Sequence, residues 1–171
     1  EPPQRALTPR DMQLAKDAAA QIEPALEQLS VPNPTAQGPL YRGMKVNDAA
    51  LAELMSEDVL HTATITSSSY NPREALKFAA TSKYEPGKYG VVFKVERAER
   101  GALMNPDELE VLLPKGGKYQ VTDRSRLASG ELLVTVRQAG TVTADAAKNI
   151  GAMGFVSVPA GGTGAQFAKG L

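Results

Sequence analysis

The sequence predicts an α+β domain built on mostly antiparallel sheet. Three observations predict it. Short strand and helix patterns alternate over 40–137, Gly116-Gly117 and Ser129-Gly130 separate strands as hairpin turns do, and only two helical windows interrupt the strands of that stretch. Seven of the twelve prolines fall in 1–39 and seven of the fifteen glycines in 140–171, which sets the expected boundaries. These are an amino-terminal helix with a Pro-rich connector over 1–39, an ordered core over 40–137, and an Ala/Gly-rich carboxy-terminal tail or linker over 138–171.

Over 8–29 Thr8 serves as a cap, Pro9 suits a first turn, and Met12, Ala15, Ala19, Ile22 and Leu26 form an apolar stripe at helical spacing. Val31-Pro32-Asn33-Pro34-Thr35 then reads as a stiff extended connector. Strands are expected at 40–44, 61–67, 90–98, 109–113, 118–122 and 131–137, and helices at 47–56 and 72–82. Asn71-Pro72-Arg73-Glu74 starts the second helix with an Asn cap, a first-turn proline and a glutamate three residues after the cap. Beyond 137 only Asp145, Lys148 and Lys169 carry charge.

Nineteen basic residues balance nineteen acidic ones, so no global cationic field gathers nucleic acid or anionic membrane. There is no cysteine, and His61 is the sole histidine, which removes Cys/His zinc sites, thiol catalysis and disulfides. His61 itself reads as a structural residue of a strand. With that residue set no metal is expected, and no membrane partner is expected because no apolar run approaches 18 residues. Glu1-Pro2-Pro3-Gln4-Arg5 lacks a basic-then-apolar signal region, and the expectation is a soluble fragment of a longer chain.

Three segments carry chemistry. In Glu108-Leu109-Glu110-Val111-Leu112-Leu113-Pro114, strand alternation would place Glu108 and Glu110 on one face, roughly 6.5–7 Å apart, with Leu109, Val111 and Leu113 facing the core. Paired carboxylates suit a reaction at a sugar carbon, one stabilising an oxocarbenium-like centre and the other managing a proton. Leu40-Tyr41-Arg42-Gly43-Met44 sets a planar, phosphate-matching cation beside a glycine that lets a ligand approach the backbone. Ser67-Ser68-Ser69 sits where a strand ends and a helix is about to begin, followed by Ala75, Phe78 and Ala79. Each has a plainer reading: solvated carboxylates, an edge arginine, and serines of a turn.

In this order the three segments resemble the Arg-Ser-Glu class of mono-ADP-ribosyltransferases, which includes clostridial binary-toxin enzymes, bacterial effector domains and phage-encoded transferases. The resemblance covers about 40–137. It implies an ADP-ribosyltransferase-like fold of two packed, mostly antiparallel sheets flanked by helices, with 40–137 as the catalytic core. It also implies NAD as co-substrate and a host protein as acceptor. By the resemblance Arg42, with Gly43 beside it, binds the NAD phosphates; Ser67 supports the nicotinamide-ribose pocket and the catalytic glutamate, with Ser68 next to it; Phe78 packs against nicotinamide. Glu110 stabilises the oxocarbenium ion, and Glu108 aligns and helps deprotonate the acceptor, a glutamate there being similar to the arginine-modifying enzymes. The stretch 100–107 would be the target-recognition loop. Ser68 stands where the family has threonine, and Thr81, with Lys83 nearby, where some members carry a second phosphate-binding arginine.

An NAD glycohydrolase, a nucleic-acid ADP-ribosyltransferase and an inactive module of a virion or secreted multidomain protein stand as alternatives. Balanced charge argues against a nucleic-acid acceptor. Gly161-Gly162-Thr163-Gly164 lacks the Gly-Lys-Ser/Thr of a phosphate loop and reads as tail. Delivery into a host or target cell follows from the resemblance.

Overall fold

The computed structural model describes residues 9–10, 24–26, 28–62, 65–80, 86–105, 109–142 and 155–157, with backbone alone at 105 and 155–157. Residues 9–10, 24–26 and 28–29 are helical, within the helix expected over 8–29, most of which lies outside the described residues. In place of a plain connector, Val31–Pro32 forms strand β1 and Pro34–Gln37 a 3-10 turn.

The rest follows as β2 (Leu40–Val46), α1 (Asp48–Ser56), β3 (Val59–Thr62), β4 (Thr66–Ser69), α2 (Pro72–Ala79), β5 (Tyr89–Arg97), β6 (Arg100–Asn105), β7 (Glu110–Leu113), β8 (Gly117–Arg126), β9 (Leu132–Thr141) and β10 (Phe155–Ser157). The strands lie in the order β1-β6-β7-β4-β2-β5-β9-β8-β3-β10, and among the described residues every pairing except β5 with β9 is antiparallel. A single register pair, Tyr41 with Ser69, joins β4 to β2. The order therefore divides there into two halves, which share one core: Val111 and Leu113 of β7 cluster with Leu40, Phe93 and Val134 of the other half. This is the α+β, mostly antiparallel arrangement expected from the sequence.

Four local expectations are corrected. The strand expected at 61–67 is two strands, because the chain crosses from one half to the other between Thr62 and Thr66. Thr62 Oγ1 donates to the Pro114 carbonyl at 2.9 Å and accepts from Gly117 N at 2.8 Å, tying β3 to the start of β8, whereas Thr66 registers with Leu113 of β7. The stretch expected as a recognition loop, 100–107, is a strand as far as Asn105, paired with β1 and β7. A bulge between Leu103 and Asn105 breaks its alternation and leaves both Leu103 and Met104 exposed, which is why the sequence does not read as a strand. The strands expected at 118–122 and 131–137 are longer, since the polar run Asp123-Arg124-Ser125-Arg126 registers with 132–135. Within the stretch expected as tail, β9 continues to Thr141 and Phe155–Ser157 pairs with β3.

Both helices start on asparagine caps. Asn47 accepts from Ala50 N at 2.9 Å, and Asn71 from Arg73 N at 3.0 Å. α1 buries Ala50 and Leu54. Arg124 of β8 fastens its end, its Nε donating to the Leu54 carbonyl at 2.9 Å and a terminal nitrogen to that of Glu57.

Candidate functional site

The site forms where α2 lies on β2 beside the end of β4. The small residues decide how close the layers come. A Cβ on Gly43 would stand 1.7 Å from the Ala75 carbonyl oxygen, so the helix backbone rests directly on the strand. The close approach that the Arg42-Gly43 pair suggested is thus made by a helix. α2 buries only Ala75 and Ala79 and turns Phe78 outward, 67% exposed. Its start also departs from a reciprocal capping box: Asn71 N donates to Ser69 Oγ at 3.0 Å, and Glu74 pairs with Lys77 at 3.0 Å.

A cleft of about 380 Å³ opens along this seam, lined by Tyr41, Arg42, Gly43, Ser67, Ser68, Ser69, Glu74, Ala75, Phe78 and Glu110. Arg42 donates from Nη1 to the Ser67 carbonyl at 3.0 Å, and its buried Nε has no partner among the described residues. Burial draws its pKa below the usual guanidinium range. A desolvated guanidinium lining a cleft is suited to a multivalent oxyanion. Register and side chains then bring the serines to the acid. Ser69 is opposite Glu110 and Ser67 opposite Leu112 across the β4–β7 ladder, and Ser67 Oγ donates to Glu110 Oε2 at 2.9 Å. Ser68, buried, donates to the Val111 carbonyl at 2.7 Å. The three serines therefore do three things: orient the acid, clamp the strands, and cap the helix entry.

Neither protein-family profiles nor curated protein sequences match the chain. Solved structures do. Vis toxin, an ADP-ribosyltransferase from Vibrio splendidus, matches at a TM-score of 0.56 and 25% identity over 85% of this chain and 66% of that one. The chain has an ADP-ribosyltransferase-like fold. The structure of Vis in complex with agmatine matches equally, at 25% identity and TM-score 0.56 over 85% of this chain and 67% of that one. The chain thus spans about two thirds of the Vis chain.

Of the residues expected at the domain's site, Arg42, Gly43, Ser67, Ser68, Phe78 and Glu110 line the one cleft. Glu108 lies outside the described residues, as do Thr81 and Lys83. The strand alternation expected to pair Glu108 with Glu110 does not run back through Leu109, which has φ 56° and is 44% exposed, contrary to the expected core-facing position. β7 begins at Glu110, and Tyr70 N donates to the Leu109 carbonyl at 3.2 Å, holding the left-handed turn in front of it. Tyr41 and Glu74 of the cleft were missed. Tyr41 carries the signal of adjacency to Arg42, and Glu74 that of lying one helical turn before Phe78. His61 is buried on β3, away from the cleft lining, in line with a structural role. Among the described residues no cluster of His, Asp and Glu could hold a metal ion.

Proposed function

We propose that the domain is an NAD-dependent mono-ADP-ribosyltransferase of the Arg-Ser-Glu class that transfers ADP-ribose to a protein arginine. The observation that carries this reading is the Ser67–Glu110 hydrogen bond on the same cleft wall as Arg42. The Arg42 guanidinium takes the diphosphate of NAD, and Phe78 supplies an aromatic face for nicotinamide. Ser67 fixes the Glu110 carboxylate, which accepts from the 2'-hydroxyl of the nicotinamide ribose. As the bond from C1' to the ring nitrogen breaks, its electron pair goes to the ring, and Glu110 stabilises the cation left on the ribose. A guanidine nitrogen of the acceptor then bonds to C1' and gives up a proton, for which Glu108 is the proposed base.

Arginine is favoured as acceptor by Glu108 in the first glutamate position and by the likeness to Vis, whose structure includes a complex with agmatine, a guanidine compound. We read 40–137 as the catalytic core, acting on a host protein after delivery as part of a toxin or effector. The test is incubation with labelled NAD and host-cell lysate, followed by mass spectrometry of labelled protein. The reading expects ADP-ribose on arginine side chains. Release of free ADP-ribose with no labelled protein would replace it with an NAD glycohydrolase.

A further inference from the structure

Glu74 has no part in the proposed reaction, yet its side chain lines the cleft with Phe78. The two are one turn apart on α2, so they share a helix face, with Ala75 seated on Gly43 between them. The usual task of a glutamate three residues after a cap is to bond the cap N–H, but here Ser69 Oγ has taken that donor. The remaining partner of Glu74 is Lys77, at 3.0 Å, with side chains 42% and 68% exposed respectively. An exposed pair of this kind holds a carboxylate only weakly. Glu74 is thus a carboxylate beside an aromatic face, and the pairing of those two groups suits an organic cation.

Building on the NAD reading above, we propose that Glu74 is a specificity residue that recognises the positive charge of the nicotinamide ring in the oxidised dinucleotide. In NAD the ring is a pyridinium cation; in NADH it is neutral, while the diphosphate is the same. Glu74 therefore favours NAD over NADH without touching the phosphates. Its attraction also ends when the glycosidic bond breaks, because the departing nicotinamide is neutral. The residue strengthens substrate binding and leaves product free to go, so it lowers KM without raising kcat.

The experiment is calorimetric titration of NAD and of NADH into the wild type, Glu74→Gln, Glu74→Asp and Arg42→Ala. Glu74→Gln is expected to weaken NAD by roughly threefold to tenfold and leave NADH unchanged, with KM rising and kcat equal or higher. Glu74→Asp should keep part of the preference, and the wild-type preference should shrink as salt is raised. Arg42→Ala should weaken both dinucleotides alike. Parallel loss of NAD and NADH in Glu74→Gln, or no loss of either, would overturn the proposal and leave the NAD reading intact. A wild type that binds neither dinucleotide would overturn both.

Discussion

The two helices of the core have nearly the same length and the same kind of cap, but they are held in opposite ways. α1 is anchored by side chains: Leu54 is 3% exposed within the main core, and Arg124 reaches across from β8 to its last carbonyls. α2 is anchored by backbone. Its Ala75 carbonyl sits where a Cβ of Gly43 would be, and its buried side chains are alanines. α1 commits Leu54 to the core, and none of its side chains lines the cleft. A helix held by its backbone keeps Glu74 and Phe78 for the cleft, which is why the site forms at α2 and not at α1.

Breaking each anchor separates the two. Gly43→Ala forces α2 off β2, and we expect a loss of about 3 kcal/mol or more in chemical denaturation together with loss of dinucleotide binding in the folded fraction. Leu54→Ala should cost a similar amount, about 2–5 kcal/mol, yet leave dinucleotide affinity at the wild-type value because the cavity lies under the other helix. Equal damage to binding from both would mean that the helices are not independent. Phe78→Ala tests the reverse case. The side chain is mostly exposed, so stability should change by less than about 0.5 kcal/mol, while NAD affinity falls about tenfold in calorimetry.

The smallest effect belongs to the half of the sheet that carries α1. His61 on β3 is buried, its Nδ1 has no partner among the described residues, and burial with the nearby Lys118 holds its pKa below the ordinary 6.5. The folded chain therefore keeps this imidazole neutral where the unfolded chain takes up a proton. Its contribution to stability is full above about pH 6.5 and declines as the pH falls below that value. His61→Gln should remove the decline between pH 6.5 and 5, seen as a smaller wild-type-minus-variant difference in denaturation midpoint at the lower pH, with NAD affinity unaffected throughout.

How far the sequence reveals this follows the kind of signal each residue sends. Asn71 and Pro72 announce the start of α2 locally, and the order of Arg42, Ser67 and Glu110 along the chain already names three residues that meet in the cleft. The break between β3 and β4 sends no such signal, since Thr62, Ile65 and Thr66 suit a strand on either side of the crossover. Leu109 is a poor sequence marker for a left-handed residue, a conformation more often given to glycine or asparagine, so the alternation through Glu108 and Glu110 looked continuous. In sequence Gly43 reads as room for a ligand, because the residue that fills the room, Ala75, lies 32 positions on. Glu74 looked committed to a capping box, and only the geometry of Ser69 releases it.

The central claim is that Ser67-oriented Glu110 drives cleavage of the nicotinamide–ribose bond. The most direct measurement is the initial rate of nicotinamide release from NAD by the wild type and by Glu110→Gln, with NAD affinity of both determined in parallel. The account predicts a loss of at least about 100-fold in rate at nearly unchanged affinity. Equal rates from the two proteins would contradict it.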